Sequence, residues 1–161
     1  MKSNKEKPIP EGYHAITPYI TVKDGNRAIE FYKRAFGAEE IMRMPRPDGR
    51  GIMHAELKIG DSRLFLGDEM PDGKCRSPES LGGTAVGIFL YVEDVDAVFE
   101  RAKSAGAEVR MPVADMFWGD RFGTLADPFG HEWSLATHIE DVTPEQMRER
   151  AEAFFAQMAK K

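Results

Sequence analysis

The sequence predicts an α+β chain made of two tandem βαβββ modules followed by a C-terminal helix. Three observations predict it. First, the chain repeats itself: YITVKDGNRAIEFYKRAFGAEEIMRMP and FLYVEDVDAVFERAKSAGAEVRMP both read as an apolar strand, V-x-D, an amphipathic helix, G-A-E and a second strand ending in R-M-P. Val22 and Val92 lie 70 positions apart, as do Asp24 and Asp94, and Gly37 and Gly106 lie 69 apart. Second, the segments flanking each helix alternate apolar and polar residues with the period of a strand. Third, DEMPDGKCRSPESLGGT between the copies is rich in Gly, Pro and Ser, as a linker is. The expected organisation is a tail at 1–12, a module at 13–69, a linker at 70–84, a second module at 85–138 and a helical tail at 139–161.

In the first module AITPYITV alternates and is rich in β-branched residues, so it reads as a strand. Asp24 is placed to cap the following helix, whose stripe runs through Ala28, Ile29, Tyr32 and Ala35 or Phe36. Gly37 stops it. Residues 39–44 read as a second strand, RPDGRG as a turn, and IMHAELKI as a third strand joined by GD to SRLFLGDE. In that third strand Met53, Ala55, Leu57 and Ile59 are expected to face the core, which turns His54, Glu56 and Lys58 the other way. The second module repeats the order: strand VGIFLYV, helix 95–104, strand 108–111, loop PVADMFWGD, strand RFGTLA, turn DPFG and strand EWSLATH. In the tail, Thr143, Pro144 and Gln146 form a capping-box start. Met147, Ala151, Phe154, Phe155 and Met158 share one apolar face, to be buried on the chain's own module or on a partner subunit.

Bulk composition narrows the function. The 161 residues are 42% hydrophobic and 30% charged, enough for a real core. A net charge of −5 without any Lys/Arg run argues against nucleic acid as a partner. No apolar run approaches the roughly 20 residues of a membrane span, and MKSNKEKPIPEG lacks the apolar segment of a secretory signal. The single cysteine, Cys75, cannot form an internal disulfide, so a reducing cytoplasm is expected.

The motifs VKDGNRAIEFYKRAFGAEE, HAELKIGDSRLFLGDE, YVEDVDAVFERAKSAGAE and WGDRFGTLADPFGHEWSLATH together resemble the vicinal oxygen chelate superfamily, which includes glyoxalase I, bleomycin-resistance proteins and extradiol dioxygenases. The likeness covers residues 13–138 and is greatest to the PhnB-like, glyoxalase-related branch. It implies that the modules form an open, cupped, barrel-like sheet with the site inside. It also implies a small-molecule ligand and a homodimer.

Active members of that superfamily hold a divalent metal such as Zn, Ni, Mn or Fe through one side chain from the first strand and one from the last strand of each module. Carried over residue by residue, those positions are Thr17, Gly87, Ser134 and either Leu64 or Phe65. None is a histidine or a carboxylate, so the resemblance implies the fold without the usual metal site and no cofactor. A relocated metal set of His54, Glu56 and Glu132 is the alternative, because Glu132 shares the face of Ser134. His54 and Glu56, two apart on one face, are also the candidate acid and base of a metal-free enzyme. His131 and His138 are seven apart and fall on opposite faces of one strand. A backbone hydrogen bond is expected at His131, and a capping or interface role at His138.

The cup is expected to be lined by Thr17, Tyr19, Gly87, Phe89, Tyr91, Trp118, Arg121 and Ser134. Aromatic walls with few polar anchors suit a small-molecule pocket. Arg121 either anchors an anionic ligand or pairs with Asp120, Asp127 or Glu132. The expected function is therefore small-molecule binding without the family's metal. The alternatives are a metal-dependent lyase, isomerase or dioxygenase, and a metal-free acid/base enzyme.

Overall fold

Asp24 and Asp94 each convert a strand into a helix. The Asp24 carboxylate accepts from the backbone N–H of Arg27 at 3.0 Å, and that of Asp94 from Ala97 at 3.0 Å, which satisfies donors that the first helical turn leaves unpaired. Both helices stop at a glycine in the left-handed region, Gly37 and Gly106.

The computed structural model describes residues 7–160; the remainder of the two expected tails, 1–6 and 161, lies outside the described residues. The elements are β1 (Tyr19–Val22), α1 (Gly25–Phe36), β2 (Glu39–Pro45), β3 (Ile52–Ile59), β4 (Ser62–Asp68), α2 (Pro78–Leu81), β5 (Gly87–Tyr91), α3 (Val95–Ala105), β6 (Glu108–Asp115), β7 (Asp120–Ala126), β8 (Glu132–His138) and α4 (Pro144–Met158). The chain divides after Gly83 into two units.

Each unit carries one open four-stranded sheet, ordered β1-β4-β3-β2 in the first and β5-β8-β7-β6 in the second. The first strand of each unit pairs in parallel with the last, and the other pairings are antiparallel. In the first unit α1 buries Ala28, Ile29, Tyr32 and Ala35 on the face that carries Leu57 and Leu66. In the second, α3 buries Phe99 and Ala102 on the face that carries Leu125, Trp133 and Leu135. One face of each sheet is thus a hydrophobic core, and strand alternation turns the other face outward.

Four local expectations are corrected. The first strand begins at Tyr19, so Thr17 lies before it; Pro18 has no N–H to give to a ladder. Strand β6 continues through Pro112 to Asp115, leaving only residues 116–119 as loop; Pro112 is accommodated because β6 is an edge strand with register shifts between Val109 and Ala114. Met53 does not join the core. The register passes from Pro45 opposite Ile52 to Met44 opposite His54, so Met53 is an extra, bulged residue that turns outward while Ile52 is buried in its place. Finally, the linker holds the short helix α2, pinned where the buried Ser77 donates its N–H and hydroxyl to Glu69 Oε1 at 2.7 and 2.8 Å.

Helix α4 has its complete capping box. Phe154 packs against Phe117 at 5.3 Å, and Arg150 makes a two-pronged bond to Glu140, with both contacts at 2.7 Å. Phe155 and Met158 stay exposed, so the helix is tied to its own unit along only part of its apolar face.

Candidate functional site

The outward face of the second sheet is an aromatic floor. Register sets Phe89 beside Ser134 and Thr124, and Tyr91 beside Ala136 and Phe122. The Phe89 ring lies 4.9 Å from Tyr91 and is stacked at 5.7 Å on Phe122, which meets Trp118 edge-on at 5.4 Å. Ala136, small and fully buried, lies between Tyr91 on β5 and Phe122 on β7 in register. Phe89 and Tyr91 are about half exposed, so the floor is open to solvent. Gly87, opposite Glu132, ends the floor without a side chain.

One buried carboxylate organises its rim. Asp120, 3% exposed, accepts from Tyr91 Oη at 2.9 Å and Trp118 Nε1 at 3.0 Å through Oδ2, and bonds His138 Nδ1 at 2.9 Å through Oδ1. His138 Nε2 in turn meets Asp141 Oδ1 at 2.9 Å. Carboxylates accept hydrogen bonds, so this arrangement favours a proton on each ring nitrogen of His138. Its pKa is accordingly raised, first by Asp141 and then by Asp120. The Asp120 bond likewise raises the Tyr91 hydroxyl, since ionisation there would set two anions side by side. Within the chain, His138 belongs to a charged network with Asp120 and Asp141.

The loop that sets Trp118 and Asp120 is fixed by Gly119. Its carbonyl accepts from the N–H groups of Ile139 and Glu140 at 2.9 and 3.0 Å. Its φ is +96°, and a Cβ there would stand 2.1 Å from the Glu140 carbonyl oxygen. Only glycine fits, and the same clamp holds the Asp141 segment near His138.

Arg121 is placed elsewhere. It follows Asp120 in the strand and therefore points to the α3 face, where it bonds Asp96 at 2.6 and 2.8 Å and Asp115 at 2.8 Å. None of the partners anticipated for it, Asp120, Asp127 or Glu132, is used. Asp127 instead holds the DPFG turn: it accepts from Phe129 and His131 N–H at 2.9 Å each and from Trp133 Nε1 at 2.9 Å. Glu132 is met by Arg110 at 3.4 Å.

The first unit has its own polar cluster. His54 Nδ1 lies 3.1 Å from Tyr19 Oη, and Nε2 lies 3.3 Å from Glu56 Oε1, while Tyr13 donates to the other Glu56 oxygen. Phe65 stands edge-on to Tyr13, Tyr19 and His54 at 5.0–6.0 Å. Burial raises the Tyr19 hydroxyl, and the nearby Cys75 adds to it. Thr21, Met53, Met70 and Cys75 border an open cavity of about 260 Å³ beside Tyr19.

Register also resolves the ambiguous family position. Tyr19 pairs with Phe65 as its repeat mate Phe89 pairs with Ser134, so Phe65 rather than Leu64 occupies it, and Leu64 is buried. Thr17, Phe65, Gly87 and Ser134 together offer two hydroxyls and no imidazole or carboxylate, a donor set that does not fit a divalent transition metal. Among the described residues no group of three or more His, Cys, Asp or Glu is placed to hold a metal ion. Among them, too, no helix is long and apolar enough to cross a membrane.

The sequence reading missed Asp120, Phe122 and Tyr13 as lining residues and left Phe65 undecided against Leu64. Parity along β7 and β8 signals Phe122, which shares the face of Ser134. The union of Asp120 with His138 depends on pairing and has no local signal.

Comparison with known proteins agrees with this architecture. The model of the Glyoxalase/Bleomycin resistance protein/Dioxygenase superfamily matches residues 13–135. An uncharacterized protein of Mycobacterium tuberculosis is 46% identical over 137 residues, covering 83% of this chain and 80% of its own. The crystal structure of TioX from Micromonospora sp. ML1 is similar with a TM-score of 0.62 and 27% identity, covering 77% of this chain and 98% of TioX. The PhnB protein of Bacillus cereus, described as a putative 3-demethylubiquinone-9 3-methyltransferase, shares the fold at a TM-score of 0.59 and 19% identity, covering 77% of this chain and 99% of its own. The fold, the repeated topology and the family match lead to one conclusion: the chain belongs to the Glyoxalase/Bleomycin resistance protein/Dioxygenase superfamily.

Proposed function

We propose that this chain is a small-molecule-binding protein of the glyoxalase/bleomycin-resistance type that works without the family's usual metal. The observation that carries the reading is the open floor of Phe89, Tyr91, Phe122 and Trp118, framed by Gly87 and Ser134 where relatives of the metal-dependent kind place ligands. Contiguous exposed rings on a rigid sheet offer a planar ligand large contact area at low entropic cost. A homodimer in the cytoplasm is part of this reading; it is supported by the exposed Phe155 and Met158 of α4 and by a single exposed thiol.

The test is a ligand screen on the wild type and Trp118→Ala, combined with metal analysis of protein purified without a histidine tag. Hits should weaken in the variant, and metal should be far below one equivalent. Stoichiometric metal that is lost in His54→Ala would overturn the reading in favour of the relocated set His54, Glu56 and Glu132.

A second reading is favoured by the Tyr19–His54–Glu56–Tyr13 hydrogen-bond chain. An imidazole between a phenol and a carboxylate is arranged to pass a proton, so His54 and Glu56 would serve a metal-free acid/base enzyme. Turnover that survives chelation and is lost in both His54→Gln and Glu56→Gln would select this reading.

A further inference from the structure

We infer that His138 is an anion anchor at the rim of the aromatic floor, that its ligand is a planar aromatic carboxylate or phenolate, and that Asp141 occupies the anchor as an internal stand-in for the ligand's anionic group. The inference rests on the proposed binding role of the floor and adds the chemical class of what binds there.

Geometry carries the argument. Asp120 comes from β7 and is buried, and it holds Nδ1 of His138 in a fixed orientation through a 2.9 Å bond. Its second oxygen is already occupied by Tyr91 and Trp118, the two polar ends of the floor. Turning the imidazole would break this part-buried hydrogen bond to the buried Asp120, so its Nε2 edge is held on the outward side. His138 and Ala136 stand two apart on β8, on the same face, and Ala136 lies between Tyr91 and Phe122. The Nε2–H donor thus belongs to the same surface as the rings.

The partner at Nε2 is of another kind. Asp141 lies beyond the end of β8, and its side chain is fully exposed. An exposed ion pair of this sort is weak because water competes with it. A ligand that rests its rings on the floor and offers an oxygen anion at the same place keeps the charge-assisted bond and adds stacking. The charged groups around the imidazolium are Asp120 from β7 and Asp141 from the loop after β8, with the Tyr91 hydroxyl from β5 sharing Asp120.

The experiment is calorimetric titration of the full chain with 2-naphthoate and its neutral isostere 2-naphthamide at pH 6. The expected result is that naphthoate binds more tightly than the amide. Asp141→Asn should raise naphthoate affinity about threefold, the scale of an exposed ion pair. His138→Gln should lower it about tenfold, the scale of a lost charge-assisted hydrogen bond, with the amide little changed in either variant. Equal binding of the two probes, or naphthoate affinity indifferent to Asp141→Asn, overturns the anchor. Failure of both probes to bind, or binding that ignores Phe89→Ala, overturns the floor itself, and the anchor falls with it. Loss of the difference between the probes while both still depend on Phe89 overturns the anchor alone.

Discussion

The indole N–H of Trp133 donates to Asp127 at 2.9 Å, and both side chains are buried. The other oxygen of the same carboxylate accepts the N–H groups of Phe129 and His131, so one aspartate closes the turn before β8 and positions the largest fully buried side chain of the second unit. Asp127→Ala strands three buried donors at once and should cost about 3 kcal/mol or more in urea unfolding. Trp133→Phe removes one donor and part of the ring, and a loss of about 1–2 kcal/mol is expected. A change below 0.5 kcal/mol in Asp127→Ala would contradict the role given to the turn.

Gly119→Ala tests the clamp beneath the site. The new Cβ meets the Glu140 carbonyl oxygen at 2.1 Å and Val142 Cγ2 at 2.9 Å, and the φ of +96° disfavours any side chain. The Trp118–Asp120 loop and the Ile139–Asp141 segment must separate. The expected outcome is a changed Trp118 fluorescence and loss of the raised His138 pKa by NMR, with far-UV circular dichroism retained.

The His138 network makes stability depend on pH with a defined sign. The folded protein binds this proton more tightly than the unfolded chain does, whose value is near the ordinary 6.5. The contribution is therefore fully present below pH 6.5 and disappears as pH rises through the raised folded value. Thermal melts across pH 5.5 to about 9 should show this decline in the wild type, and His138→Gln should flatten it.

Arg121 and Phe89 separate the two faces of the second sheet. Phe89→Ala should weaken floor ligands about tenfold, as loss of a stacked ring does. Arg121→Ala acts on the α3 face and should leave the same affinity within about twofold, because its partners Asp96 and Asp115 are exposed and neither is a floor residue. Equal losses in both variants would place the ligand elsewhere.

Helix α4 is held by Phe154 and Arg150 yet leaves Phe155 and Met158 about 60% exposed. If the proposed homodimer assembles through this helix, deleting residues 143–161 should lower the sedimentation mass to that of one chain. An unchanged mass would assign those side chains no part in assembly.

The sequence by itself determined what depends on neighbours along the chain. Asp24, Asp94 and Thr143 cap helices through bonds to residues three positions on, and period-two alternation separates Trp133 and Leu135 from Ser134. These are short-range interactions, and a strict repeat displays them twice. Only the tertiary structure decided what depends on pairing between strands. The Met53 bulge, the choice of Phe65 over Leu64, the partners of Arg121 and the union of Tyr91, Trp118, His138 and Asp120 all follow from register. A shift of one residue in register turns every side chain of a strand to the opposite face, so residue type alone cannot say which carboxylate meets which histidine. In this protein that partner is Asp120, a residue whose sequence neighbours Gly119 and Arg121 carry no sign of it.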